Sequence, residues 1–167
     1  IPASSGLYDK ALRLFLDGRL DDALEVLKED QLEKELTAAK EAAEGVAKEY
    51  GLRGQLLALK FDFAGATRAY EKAVEAAPTS FDANFNLAYF LQNQNAFARS
   101  RVAYERCLQL AKGEETTERV AITLNNLGVL HTDENRFAEA RAAYEEALKI
   151  YRQLAARNPD AYLRYIA

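Results

Sequence analysis

The sequence predicts an all-α protein assembled from a repeated pair of helices. Three observations carry that expectation. Ala, Leu, Glu, Lys and Arg, all strong helix formers, dominate the 167 residues, while Val, Ile and Thr are sparse and scattered. Apolar and polar residues recur at helical spacing rather than in the strict alternation of a strand. One pattern of twelve residues comes back three times.

The three copies are residues 62–73 (DFAGATRAYEKA), 96–107 (AFARSRVAYERC) and 136–147 (RFAEARAAYEEA). Each opens on Phe63, Phe97 or Phe137, has a small residue three positions later, then Ala-Tyr-Glu, then another small residue. The residues upstream match as well. Asn86-Leu87-Ala88 and Asn126-Leu127-Gly128 stand at the same distance before their Phe, and Tyr50 and Gly54 hold the equivalent places before Phe63.

Taken in order, residues 4–30 read as a degenerate first repeat: Leu7, Ala11, Leu14, Gly18, Leu20, Ala23 and Leu27 fit, with Leu in place of the aromatic. Residues 31–46 are strong helix sequence outside the repeat, expected to lengthen the first helix of the next repeat or to form a connecting helix. Gly45, Gly51 and Gly54 weaken that stretch by about 1 kcal/mol each relative to Ala and are expected to mark a bend or break. Full repeats follow at 47–80, 81–114 and 121–158. The step is 34 residues from Ala47 to Phe81 and 40 from Phe81 to Ala121. Residues 159–167 read as the start of a further repeat or a cap, because Tyr165-Ile166-Ala167 is similar to Arg119-Val120-Ala121.

These residues resemble the tetratricopeptide repeat. Its signature is carried by Tyr50, Gly54, Leu57, Ala66, Tyr70, Ala73 and Pro78 in one copy, and by Leu87, Ala88, Leu91, Ser100, Tyr104 and Cys107 in the next. In the third it is carried by Leu124, Leu127, Gly128, His131, Ala140, Tyr144 and Ala147. The longer steps, together with residues 123–128 (TLNNLG), look like the kinesin-light-chain subtype. The resemblance implies a right-handed superhelical solenoid of antiparallel helix pairs in one domain over 1–167, and a fragment of a longer array. Neither helix of a pair buries its apolar stripe alone. Small residues at Gly54, Ala88 and Gly128 let the two helices approach, and Tyr70, Tyr104 and Tyr144 are expected to fill the gap between neighbouring repeats.

Bulk properties narrow the function. Net charge is −4, and Lys and Arg are interspersed with Asp and Glu, whereas a phosphate-backbone binder concentrates basic charge. No nucleic acid is expected. The most apolar stretch, residues 85–91, falls far short of the roughly 20 residues a membrane span needs, so no membrane insertion is expected either. A single cysteine, Cys107, allows no internal disulfide and fits a reducing compartment, with the cytoplasm favoured.

The residues offer little to catalysis. His131, the only histidine, falls at a helix-packing position equivalent to Leu57 and Leu91, with no nucleophile and orienting group in a triad pattern. Cys107 stands where the sister repeats have Ala73 and Ala147 and reads as a small buried substitute. No cluster has metal-ligand spacing, and neither metal nor cofactor is expected. Acidic pairs such as Glu114-Glu115 read as solvated surface, as do Arg99 and Arg106.

The family resemblance puts the first helix of each pair on a concave groove that holds extended or helical peptides. In residues 81–95 the only charge is Asp82, and the groove candidates are Phe85, Asn86, Tyr89, Gln92 and Asn93. Asn125, Asn126 and Val129 are their counterparts in the next repeat. Asn86 and Asn126 share one repeat position, and a carboxamide both donates and accepts, so the pair suits a partner's backbone. Asn at that position can equally brace neighbouring helices, and Phe85 and Tyr89 can be groove anchors or ordinary core. The basic clamp that some members use on a C-terminal carboxylate has no match here. Two functions are therefore expected: a non-catalytic scaffold for a protein or peptide partner, or a structural segment that self-associates weakly through its terminal repeats and convex face.

Overall fold

In the computed structural model, residues 6–111 and 117–166 are described; Glu114-Glu115 and Ala167 lie outside them. Nine α-helices are seen among the described residues: α1 (Gly6–Leu16), α2 (Leu20–Val26), α3 (Glu29–Leu59), α4 (Phe63–Ala76), α5 (Phe81–Asn93), α6 (Phe97–Leu110), α7 (Thr117–Asp133), α8 (Phe137–Arg157) and α9 (Pro159–Tyr162). A 3-10 turn, Leu163–Tyr165, follows. The fold is all-α, a solenoid of paired helices. It divides into two compact units, residues 1–43 and 44–167, with α3 crossing the boundary.

Residues 31–46 prolong the first helix of the repeat that follows. Helix α3 runs for 31 residues straight through Gly45, Gly51 and Gly54, with no break at any of them. Two of these glycines are buried instead of bent, and Gly54 has a packing reason. A Cβ built on it would lie 2.9 Å from the Tyr70 ring of α4, inside van der Waals contact.

In the first unit α1 and α2 pair through Ala11 and Ala23, both buried. The second unit is held by four small apolar clusters, each joining neighbouring helices. Ala47 of α3 meets Ala73, Ala77 and Ala83. Tyr70 meets Ala66 and Phe90. Tyr104 is fully buried among Ala88, Ala103, Leu127 and Leu130, and so ties α6 to both α5 and α7. Tyr151 closes on Ala121, Leu124 and Ala147, with Tyr162 and Ile166 of the C-terminal turns packed against them. Tyr144 departs from its sisters. Its ring meets Gly128, where a Cβ would approach to 2.5 Å, yet the side chain stays 36% exposed, with no helix among the described residues covering it as α7 covers Tyr104.

The turn inside each pair is the same four times over. At Gly18, Phe61, Asn95 and Asn135 the backbone is left-handed, with φ of 74°, 61°, 57° and 59°. In each turn that residue's N–H donates three residues back and the next N–H donates five back, as in Asn95→Gln92 and Ala96→Leu91, both at 2.9 Å. This is the Schellman arrangement, which satisfies the last carbonyls of the first helix. Gly and Asn suit a positive φ; Phe does not. Phe61 is also 81% exposed and meets the Phe63 ring edge-on at 6.2 Å. Phe61→Gly is therefore expected to stabilise the protein by about 1 kcal/mol, relief of the left-handed strain outweighing the entropy of an added glycine. A urea titration reads this, and an unchanged or lower midpoint would refute it.

Candidate functional site

The first helices α3, α5 and α7 are positioned by buried polar contacts at their starts and across the pairs. Ser80 caps α5: its Oγ donates to Glu44 Oε2 of α3 at 2.9 Å and lies 3.5 Å from the Ala83 N–H. Buried Asn84 donates through Nδ2 to the carbonyls of Pro78, 3.2 Å, and Ser80, 2.8 Å, fixing the α4–α5 connection. Ser100 stands where the sister repeats have Ala, and its hydroxyl donates to the Ala88 carbonyl at 2.7 Å. Arg101 of α6 grips both carboxylate oxygens of Glu134 at 3.0 Å.

Between α3 and α5 lies a cleft of ≈ 360 Å³. Gly51, Leu52 and Phe85 give it an apolar floor, Gln55 and Asn86 add carboxamides, and Glu44, Lys48 and Asp82 place charges of both signs along it. Asp82 is paired with Arg119 of α7 at 3.4 Å, and the Arg119 guanidinium lies 4.8 Å from the Phe81 ring centroid. The volume is that of a site taking one or two side chains, with polar groups placed to orient them.

The sequence candidates separate on inspection. Asn86 is exposed and lines the cleft. Phe85 also lines it, but its ring is half-buried, stacked on Phe81 at 5.6 Å and edge-on to Tyr104 at 5.7 Å, so it is anchor and core at once. Tyr89, Asn93, Asn125 and Val129 are exposed on the same helices. Gln92 is turned inward: it is 8% exposed and its Oε1 accepts the Tyr104 hydroxyl at 3.0 Å. Asn126 is half-buried and donates to the Ile122 carbonyl of its own helix at 3.1 Å. The α3 wall was not foreseen. Lys48, Leu52 and Gln55 stand 34 residues before Asp82, Asn86 and Tyr89, so stepping the groove positions back by one repeat finds them.

The one cysteine and the one histidine are held by packing. Cys107 is fully buried with Sγ 3.9 Å from the Phe81 carbonyl, and burial pushes its thiol up to about 12, which keeps it protonated and unreactive. His131 Nδ1 lies 3.7 Å from the Glu134 carboxylate that Arg101 already holds. Arg99 bridges α6 to Glu71 of α4, an exposed pair rather than a lone solvated charge.

The tetratricopeptide-repeat sequence profile matches residues 80–153, the stretch that spans α5 to α8. Over that stretch the chain is similar to the tetratricopeptide repeat. Solved structures agree in fold. MamA superposes with a TM-score of 0.59 at 16% identity, over 90% of this chain and 79% of that one. BtubC (BKLC) from P. vanneervenii gives 0.59 at 22% identity, over 90% and 75%. The N-terminal domain of stress-induced protein-1 (STI-1) from C. elegans gives 0.50 at 19% identity, over 74% and 94%. Identities this low establish shared architecture and no more. No curated protein sequence gives a significant match. The match over residues 80–153 supports a general role in protein–protein interaction, and no helix among the described residues is long and apolar enough to cross a membrane.

Proposed function

We propose that this protein is a non-catalytic tetratricopeptide-repeat scaffold that holds a segment of another protein along the groove of α3, α5 and α7. The observation that carries the reading is the α3–α5 cleft, where an apolar floor, two carboxamides and opposite charges meet at one open site. Leu52 and Phe85 offer an apolar side chain a pocket. Asn86 offers a backbone amide both a donor and an acceptor. Lys48 and Asp82 select charge along the segment.

Asn86→Ala is expected to change folding stability by no more than about 0.5 kcal/mol, the range for an exposed surface site. It is expected to weaken partner capture all the same, and Leu52→Glu to abolish it by setting a charge on the floor. The check is cross-linking mass spectrometry of captured partners on wild type and both variants, alongside denaturation curves. The same partners cross-linked to the same residues in all three proteins would remove the groove from the function. Loss of stability in Asn86→Ala would make that residue structural.

A further inference from the structure

The hairpin of α1 and α2 carries one apolar pattern twice, as Tyr8-Ala11-Leu12-Phe15 and as Leu20-Ala23-Leu24-Leu27. Spacing of i, i+3, i+4, i+7 puts each set on a single helix face, with an alanine second in both. The alanines are buried where the helices meet, and the larger side chains beside them wall an open cleft of ≈ 400 Å³. These eight residues line it and no charged side chain does. Tyr8, Phe15, Leu20 and Leu24 are each more than half exposed. Ala11 and Ala23 are the only residues of the first unit that are buried among those described. A unit of about 40 residues ordinarily needs a cross-link, a metal or association to hold together. The one cysteine, Cys107, lies in the other unit, and the cleft walls offer only apolar surface to whatever covers them.

We propose that the α1–α2 hairpins of two copies pack face to face, so that the protein forms a two-fold dimer through a four-helix bundle. Both helices carry the same stripe, so the face is its own complement, the large side chains of one copy seating over the alanine floor of the other. At roughly 200 Å² for a whole large side chain, Tyr8, Leu12, Phe15, Leu20 and Leu24 leave about 600 Å² open per copy. Two copies then bury about 1,200 Å², the lower end for a specific, stable complex. Charge does not oppose the approach, because residues 6–28 hold four basic and five acidic side chains. Asp22 and Glu25 are already paired with Arg19 and Lys28. The contact uses no residue of the α3–α5 cleft, so it stands or falls apart from the groove reading.

Sedimentation velocity over a concentration series tests this with the wild type, Phe15→Glu, Leu24→Glu, Leu24→Ala and Lys10→Glu, the last on the charged side of α1. The wild type and Lys10→Glu should rise from one copy to two and level there. Each Glu variant at the cleft should stay monomeric, weakened at least about 100-fold by a carboxylate without a partner in an apolar seam. Leu24→Ala, which favours the helix and only thins the contact, should move the midpoint about tenfold higher in concentration, and it reads the seam even where a Glu variant loses helical signal in circular dichroism. Fluorescently labelled Phe15→Glu mixed with unlabelled wild type should sediment as a monomer, because one patch serves both partners. A wild type that remains monomeric to its solubility limit overturns the proposal, and so does a mass that climbs past two copies. Entry of labelled Phe15→Glu into wild-type assemblies also overturns it, since two different surfaces would then be meeting. Association that Leu24→Ala leaves unchanged removes the hairpin from the interface.

Discussion

Tyr104→Ala should bring the second unit close to unfolding. The side chain is fully buried, touches both flanking helices and has no route to solvent through which its site could collapse. Truncating a large buried aromatic costs about 3–5 kcal/mol, against a total stability for ordinary domains of about 5–15 kcal/mol. Part of that loss comes from Gln92, whose buried Oε1 would keep no donor. Tyr104→Phe separates the two contributions. It keeps the ring among Leu127, Leu130 and Phe85 and removes only the hydroxyl, for an expected cost of about 1–2 kcal/mol. Urea denaturation of the three proteins measures both steps. If Tyr104→Phe cost as much as Tyr104→Ala, the polar contact rather than packing would be the main tie between the repeats.

Gly54→Ala should destabilise more than Gly128→Ala, although the added methyl meets its neighbour at 2.9 Å in the first case and 2.5 Å in the second. What decides the order is whether the ring in the way can move. Tyr70 is buried, with the Phe90 ring 5.0 Å away and Leu57, Ala58 and Leu87 around it. Overpacking there costs about 1–3 kcal/mol, less the roughly 1 kcal/mol that Ala gains over Gly inside a helix. Tyr144 is open to solvent on one side and can swing away, so the same helix gain offsets most of its smaller loss. Paired denaturation curves check the order. Equal losses, or a larger one at Gly128, would mean that the helices themselves spread apart rather than the ring yielding.

Most of the architecture was legible because the repeat writes each structural role three times. The Gly54–Tyr70 and Gly128–Tyr144 approaches follow from small and large residues held at one spacing, and the fully buried Tyr104 from its place in the same series. Three features were not legible, each for a physical reason. Gln92 has the composition of a groove residue, but the nearby Tyr104 hydroxyl draws its carboxamide inward, and periodicity does not show a hydrogen bond between two helices. The continuity of α3 at Gly54 reflects tertiary packing overriding helix propensity, against a tyrosine ring that no local window contains. The exposure of Tyr144 depends on what lies beyond α8, and its own repeat is written just as the buried ones are.

The recurrent left-handed turn has a consequence for how such an array can change length. Its two hydrogen bonds fix the angle within a pair locally, at Asn95 as at Asn135, so the hairpin is a rigid joint that tolerates no added residue. The connection from α4 to α5 is held in another way, by the side chain of Asn84 on the Pro78 and Ser80 carbonyls. Four residues separate α4 from α5, and α7 begins four residues earlier in the repeat than α5 does. By the repeat pattern, the excess of the 40-residue step over the 34-residue step enters between Cys107 and Ala121, outside the hairpin turns. Insertions between pairs should therefore be tolerated, while a single residue inserted at position 95 or 135 should scramble the pairing of every helix after it.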